Sequence, residues 1–98
     1  SKNIIKKIKI KLINLNYFFA MHKIKKKVDY ISIDTEGNEY EIIKNFNFKK
    51  HQVNIFTIEH NFNNKKRAKI KKIMMKNNYK NIFSHLSYMD DWYIKNEN

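Results

Sequence analysis

Apolar and polar positions follow two different periods along the chain. Residues 28–34 (VDYISID) and 53–59 (VNIFTIE) are β-branched and largely apolar, which is typical of strands buried on both faces. Residues 38–46 and 64–77 instead repeat apolar positions at intervals of three and four, which predicts amphipathic helices. The middle of the chain therefore alternates strand and helix.

The flanking segments extend this alternation. Residues 4–13 alternate lysine with isoleucine and predict a strand with one wet face, and residues 15–24 have helical spacing. Residues 80–86 and 91–95 have the composition of two further strands. Strand–helix–strand order is typical of an α/β sheet with right-handed crossovers, and 98 residues suffice for one domain at most.

The net charge of +12 first suggests a nucleic-acid-binding protein. However, Arg67 is the only arginine, whereas interfaces that read phosphates and bases favour arginine. Lysine, asparagine and isoleucine are all abundant, and A- and T-rich codons encode all three, so a low-GC genome explains the charge. We expect only weak, salt-sensitive binding and no specific nucleic-acid partner.

Two further features limit the class of protein. The chain has no cysteine, which excludes disulfides and thiolate metal sites. No apolar run approaches the roughly 18 residues that cross a bilayer, and no signal-peptide pattern opens the chain. We expect a cytoplasmic protein without a membrane partner.

Polar residues follow both buried-type strands at the point where each strand ends. Residues 34–37 (DTEG) follow the first strand, and residues 59–61 (EHN) close the second. Ligands of open α/β sheets bind beyond the carboxyl ends of the strands, and neighbouring strands lie about 5 Å apart. The two segments can therefore face one crevice, where they could bind a divalent metal, accept a proton or hold an ammonium group.

Structural roles are open for the same residues. Asp34 and Glu36 could simply cap the helix that follows them. Gly37 could be required only by a turn with positive φ, and His60 could be a loop histidine with its hydrogen bonds satisfied.

Residues 28–48 (VDYISIDTEGNEYEIIKNFNF) resemble the core signature of FkbM-type methyltransferases, in which a strand ends in an Asp-x-Glu-Gly turn and a Glu-bearing helix follows. Later segments come in the family's order: IEHN at residues 58–61, an amphipathic helix, Tyr79, and YMDDWYI near the end. Asn78 stands where the family usually has glycine. The resemblance covers roughly residues 8–95.

The resemblance implies the C-terminal half of a class I (Rossmann-like) methyltransferase sheet. Residues 28–34 would be its fourth strand, residues 53–59 its fifth, and residues 4–13 an extra edge strand, with a final antiparallel strand inserted beside its neighbours. Such enzymes hold their cofactor on a glycine-rich loop, which is absent because Gly37 is the only glycine. The full-length parent would be the enzyme, and residues 1–98 a fragment inactive alone.

The implied activity is S-adenosylmethionine-dependent methyl transfer to a hydroxyl oxygen of a small molecule or sugar. Asp34 would be the general base or would position the acceptor. Glu59 and His60 would be its catalytic partners across the crevice.

Cofactor and metal contacts follow from the same resemblance. Asp34, Glu36 and Gly37 would lie near the cofactor crevice, with Glu36 bracing the turn. Some related O-methyltransferases hold a magnesium ion at these strand ends, so Asp34, Glu59 and Asn61 are candidate ligands. Two other functions stay open: a non-catalytic remnant or interaction domain, and a weak, non-specific nucleic-acid-binding module.

Overall fold

A computed structural model describes residues 4–8, 15–24, 27–35, 37–83 and 89–97. Within these ranges, strands and helices alternate as the sequence predicts. The elements are β1 (Ile4–Ile8), α1 (Leu15–Met21), β2 (Val28–Ile33), α2 (Glu39–Asn45), β3 (Val53–Glu59), α3 (Asn64–Lys76), β4 (Tyr79–Ile82) and β5 (Asp90–Lys95). The protein is a mixed α/β fold, which confirms the predicted class.

The five strands form one sheet in the order β1-β2-β3-β5-β4. β1, β2 and β3 are parallel, and β5 is antiparallel to both of its neighbours, β3 and β4. Phe56 of β3 is in register with Ile31 of β2 and with Tyr93 of β5. This arrangement, with an antiparallel strand inserted near one edge, is consistent with part of a Rossmann-like methyltransferase sheet.

Several predicted boundaries differ from those in the structure, most of them by one residue. The first helix ends at Met21 rather than at residue 24, because Lys23 takes a left-handed conformation (φ 52°). The backbone N–H groups of Lys23 and Ile24 then donate to the carbonyls of Ala20 and Phe19, which is the Schellman pattern that closes a helix. β4 begins at Tyr79, one residue earlier than predicted. Residues 9–13 and 84–86 of the predicted strands lie outside the described ranges.

The main core lies between the helices and one face of the sheet. Right-handed crossovers between consecutive parallel strands place α1 and α2 on the same face, and α3 contacts α2. The buried apolar side chains are Phe19, Val28, Ile31, Ile33, Ile42, Ile43, Phe46, Val53, Phe56, Ile58, Ile70, Met74, Tyr79 and Tyr93. Phe46 and Tyr79 each make an edge-on contact with the Phe56 ring, and the Tyr79 hydroxyl donates to the carbonyl of Val53.

The turn after α3 explains the asparagine that replaces the family's usual glycine. Asn78 has φ 71°, in the left-handed region that asparagine tolerates better than most residues. Its carbonyl accepts a hydrogen bond from the Asn96 N–H, which ties the turn to the residue after β5. In the part of the chain that is described, no helix is both long and apolar enough to cross a membrane.

Candidate functional site

Parallel pairing of β2 and β3 brings the two predicted polar segments together. Ile33 is in register with Ile58, so Asp34 and Glu59 follow at the same edge of the sheet. Oxygen atoms of Asp34, Glu39 and Glu59 all lie within 4.8 Å of one another. The structure therefore unites two predicted site residues and adds a third acid that the sequence did not single out.

Glu59 and Asp34 form a hydrogen-bonded carboxyl pair. Burial raises the pKa of Glu59 to about 7, with further contributions from the hydrogen bond to Asp34, from the charge of Asp34 and, more weakly, from that of Glu39. A hydrogen bond from Asn61 opposes this rise. Glu59 Oε1 is buried and has no hydrogen-bond partner among the described residues. Glu59 therefore keeps its proton to a higher pH than an ordinary glutamate does.

Glu39 occupies the buried position in this acidic group, with 3 % of its surface exposed. Its Oε2 accepts the backbone N–H of Thr35 at 2.7 Å and the Thr35 hydroxyl at 3.0 Å. Its Oε1 accepts the N–H of Gly37 at 3.1 Å. Glu36, which was predicted to brace this turn, lies outside the described residues, and in the structure Glu39 makes these bonds.

Gly37 gives the turn a backbone conformation that other residues rarely adopt. Its φ is 123°, which requires glycine whatever space surrounds it. A Cβ atom at this position would lie 4.0 Å from Lys66 Nζ, so backbone conformation and not crowding selects glycine here. The carbonyl of Gly37 accepts a hydrogen bond from Lys66 Nζ at 2.7 Å, which ties the turn to α3.

His60 supports the loop after β3. It is buried, and its Nδ1 accepts the backbone N–H of Phe62 at 3.1 Å. The backbone N–H of His60 donates to the carbonyl of Met89 at 2.8 Å. Nε2 is buried and unpartnered within the described part of the chain. These contacts give His60 a structural use, and its catalytic role stays a prediction.

The acids that converge differ from the predicted metal ligands. Asp34 and Glu59 belong to both sets, whereas Glu39 takes the third place among the converging acids. Asn61 is exposed, has φ 47°, and hydrogen-bonds through its side chain to Glu59. Glu39 lies in the first turn of α2, where an acid suits the positive end of the helix dipole, so its position in the sequence indicated no further role. The signal in the sequence was its place two residues after a turn glycine.

Arg67, the only arginine, has a structural partner. Its Nε and Nη2 donate to the two carboxylate oxygens of buried Asp91, each at 2.8 Å. This bidentate pair fixes α3 to β5 at Asp91. The preceding residue, Asp90, is in register with Glu59, so the pair lies next to the acidic group. Lys66 and Arg67, adjacent on α3, thus anchor two segments that border the acidic group.

The geometry suits proton transfer from a hydroxyl group, and its oxygen atoms also suit a hard cation such as Mg²⁺. The unpartnered Glu59 Oε1 is the observation that fits a cation or a substrate hydroxyl.

A family model described as the methyltransferase FkbM domain matches residues 1–92. No curated protein and no solved structure matches the chain. The match spans β1 to β4 and the first half of β5, including the whole acidic group. On this evidence the chain belongs to the FkbM methyltransferase family.

Proposed function

We propose that this domain takes part in methyl transfer from S-adenosylmethionine to a hydroxyl oxygen of a small molecule or sugar. Family membership supports methyl transfer in general. The observation that supports an oxygen acceptor is the hydrogen-bonded Asp34–Glu59 pair at the carboxyl ends of two parallel strands. A hydroxyl must lose its proton when it becomes an ether, and this pair can take that proton.

The reaction is an in-line displacement. S-adenosylmethionine, when bound, would supply the methyl carbon to the acceptor oxygen, and its sulfonium would leave as a neutral thioether. The hydroxyl proton passes to the carboxyl pair. We assign this proton transfer to Asp34, with Glu59, whose pKa is raised to about 7, as its hydrogen-bonded partner.

A divalent cation is a second way to use the same oxygens. Asp34 and Glu59, with Asn61, would hold Mg²⁺, which would stabilise the deprotonated acceptor when bound. The buried, unpartnered Glu59 Oε1 fits this ion as well as it fits a substrate hydroxyl. The raised pKa of Glu59 means that a cation must displace a proton, so its affinity should rise with pH between about 6 and 8.

The cofactor needs residues that this chain does not offer. Its one glycine already serves the turn after β2, whereas a glycine-rich loop must approach the cofactor's methionine moiety closely. We therefore propose that a loop outside residues 1–98 completes the cofactor site, and that residues 1–98 alone do not transfer methyl groups.

The test is a methyl-transfer assay on a protein that carries this domain together with a glycine-rich loop. Labelled S-adenosylmethionine is offered with a panel of sugars and small hydroxylated acceptors, with and without Mg²⁺. We expect label in an acid-stable ether product. Transfer to amines alone would contradict an oxygen acceptor, and equal rates after removal of Mg²⁺ by a chelator would contradict the role of the cation.

A further inference from the structure

Glu39 differs from the other two acids in what surrounds it. Asp34 and Glu59 are partly exposed, whereas Glu39 is buried and points its oxygens at the loop between β2 and α2. We propose that Glu39 is a positioning residue, which holds this loop in the conformation that sets Asp34 against Glu59. This inference rests on the proposed function for its catalytic meaning, but its structural part can be tested without any activity.

The hydrogen-bond pattern requires a carboxylate at position 39. Oε2 accepts two donors of Thr35, and Oε1 accepts the N–H of Gly37, so both oxygens serve as acceptors. Glutamine has the same shape but only one acceptor oxygen, and its amide nitrogen would face a backbone N–H. The loop would then contain at least one buried donor without a partner.

Thr35 transmits this restraint to Asp34, because it is the next residue in the chain. Its hydroxyl donates to Glu39 and accepts the N–H of Asn38 at 3.1 Å, so both of its roles are filled. On the far side, Lys66 binds the Gly37 carbonyl. The loop is thereby fixed through its N–H groups, a hydroxyl and a carbonyl, and Asp34 has little freedom to leave the pair.

Glu39 is not placed to act on substrate itself. It is 3 % exposed, and its Oε2 already has two short contacts, at 2.7 and 3.0 Å. A group in this position acts through the loop that it holds. Glu41 provides a matched control, because it is an exposed acid in the first turn of the same helix.

The experiment compares Glu39→Gln and Glu41→Gln in the folded protein that carries residues 1–98, by NMR. Two readouts are measured at one pH: exchange of the Thr35 and Gly37 amide hydrogens, and the nuclear Overhauser contact between the side chains of Asp34 and Glu59. We expect Glu39→Gln to speed both exchange rates at least tenfold and to remove the contact, because the donors lose their acceptor. Glu41→Gln should change neither.

Unchanged exchange and an intact Asp34–Glu59 contact in Glu39→Gln would overturn the proposal. If Glu39→Gln does not fold, Thr35→Val decides, since it removes the hydroxyl that donates to Glu39 and accepts the Asn38 N–H and leaves every charge in place. Exchange at Gly37 and Asn38 should then rise several-fold, and unchanged rates would overturn the proposal. If the amides respond as expected but no methyl transfer to hydroxyl acceptors is detected, the proposed function is contradicted and the role of Glu39 in the loop stands.

Discussion

The two loops at the acidic edge of the sheet hold their backbones in different ways. The β2–α2 loop is held by charged side chains, Glu39 from its own helix and Lys66 from α3, and uses glycine at its one described positive φ. The β3–α3 loop places Asn61 and Phe62 in succession at φ 47° and 58°, without a glycine. Glycine adopts a positive φ without strain in the first loop, whereas the non-glycine residues of the second loop carry backbone strain.

The difference indicates what each loop must hold. Asp34 belongs to the loop that is braced from both sides, which would suit its proposed role as a base that meets a substrate oxygen in one geometry. Glu59 ends a central strand, so the sheet positions its backbone and the loop after it is less constrained. The strain of that loop is offset by the His60 imidazole, which accepts the Phe62 N–H.

The largest expected effect concerns the braced loop. Asp34→Asn, in a protein competent for methyl transfer, should lower turnover by roughly 100-fold or more, because it removes the charge that receives the acceptor's proton. The melting temperature should change little, since Asn keeps the size of Asp. Glu41→Gln is the control and should retain full activity. A variant with normal turnover but a lower melting temperature would make Asp34 a helix cap and not a base.

The second-largest effect is expected from substitutions at the positive-φ residues of the two loops, which should change stability to different extents. Gly37→Ala forces a side chain into φ 123° and should cost about 1–3 kcal/mol of unfolding free energy. Phe62→Asn puts a residue that tolerates the left-handed region at an exposed position, and should change stability by less than about 1 kcal/mol or increase it. Urea titrations of both variants measure the difference. Equal losses would mean that strain is not what distinguishes the loops.

Glu59 should make stability depend on pH. Its pKa is 4.5 in the unfolded chain and about 7 when folded, so the folded state alone holds this proton between those values. The contribution is complete below about pH 4.5 and is lost as pH rises through 7. Relative to Glu59→Gln, the parent should therefore lose on the order of 1–2 kcal/mol between pH 5 and 8.

The difference between parent and variant isolates Glu59. Burial, with a smaller effect of Lys50, lowers the pKa of His51, which gives stability that is lost as pH falls and so works in the opposite direction. His51 is present in both proteins, and its effect cancels. If the unfolding free energies of parent and Glu59→Gln change in parallel between pH 5 and 8, Glu59 has the same pKa in the folded and unfolded states, which would contradict the prediction.

The smallest expected effect tests the outer anchor of the braced loop. Lys66→Met removes the ammonium that binds the Gly37 carbonyl and keeps the apolar stem, so we expect a loss of about 1 kcal/mol. Lys65→Met, at an exposed neighbouring position, should cost much less. If both variants lose the same stability, the contact with Gly37 contributes nothing measurable, and Glu39 alone accounts for the brace.

The position of Asp34 and Glu59 at one edge of the sheet could be predicted from the sequence, because the strands that carry them have recognisable local patterns. The β-branched run of residues 28–33 specifies a strand, and parallel pairing with the next such strand places Asp34 beside Glu59. The role of Glu39 depends on how the β2–α2 loop folds back over the start of α2, and the spacing of apolar and polar residues does not predict this fold. The contacts of Lys66 with Gly37 and of Arg67 with Asp91 join positions 29 and 24 residues apart, and only the tertiary structure reveals them.

The position of β5 has a consequence for synthesis on the ribosome. This strand follows β4 in the chain but lies between β3 and β4 in the sheet. While the polypeptide emerges, β3 has no neighbour on that side and β4 has nothing to pair with until residues 90–95 are free. Only then does Asp90 come into register with Glu59, and only then can Arg67 donate its hydrogen bonds to Asp91. The acidic edge is thus assembled late, so a nascent chain stopped before residue 90 would present an unpaired β3 edge to chaperones.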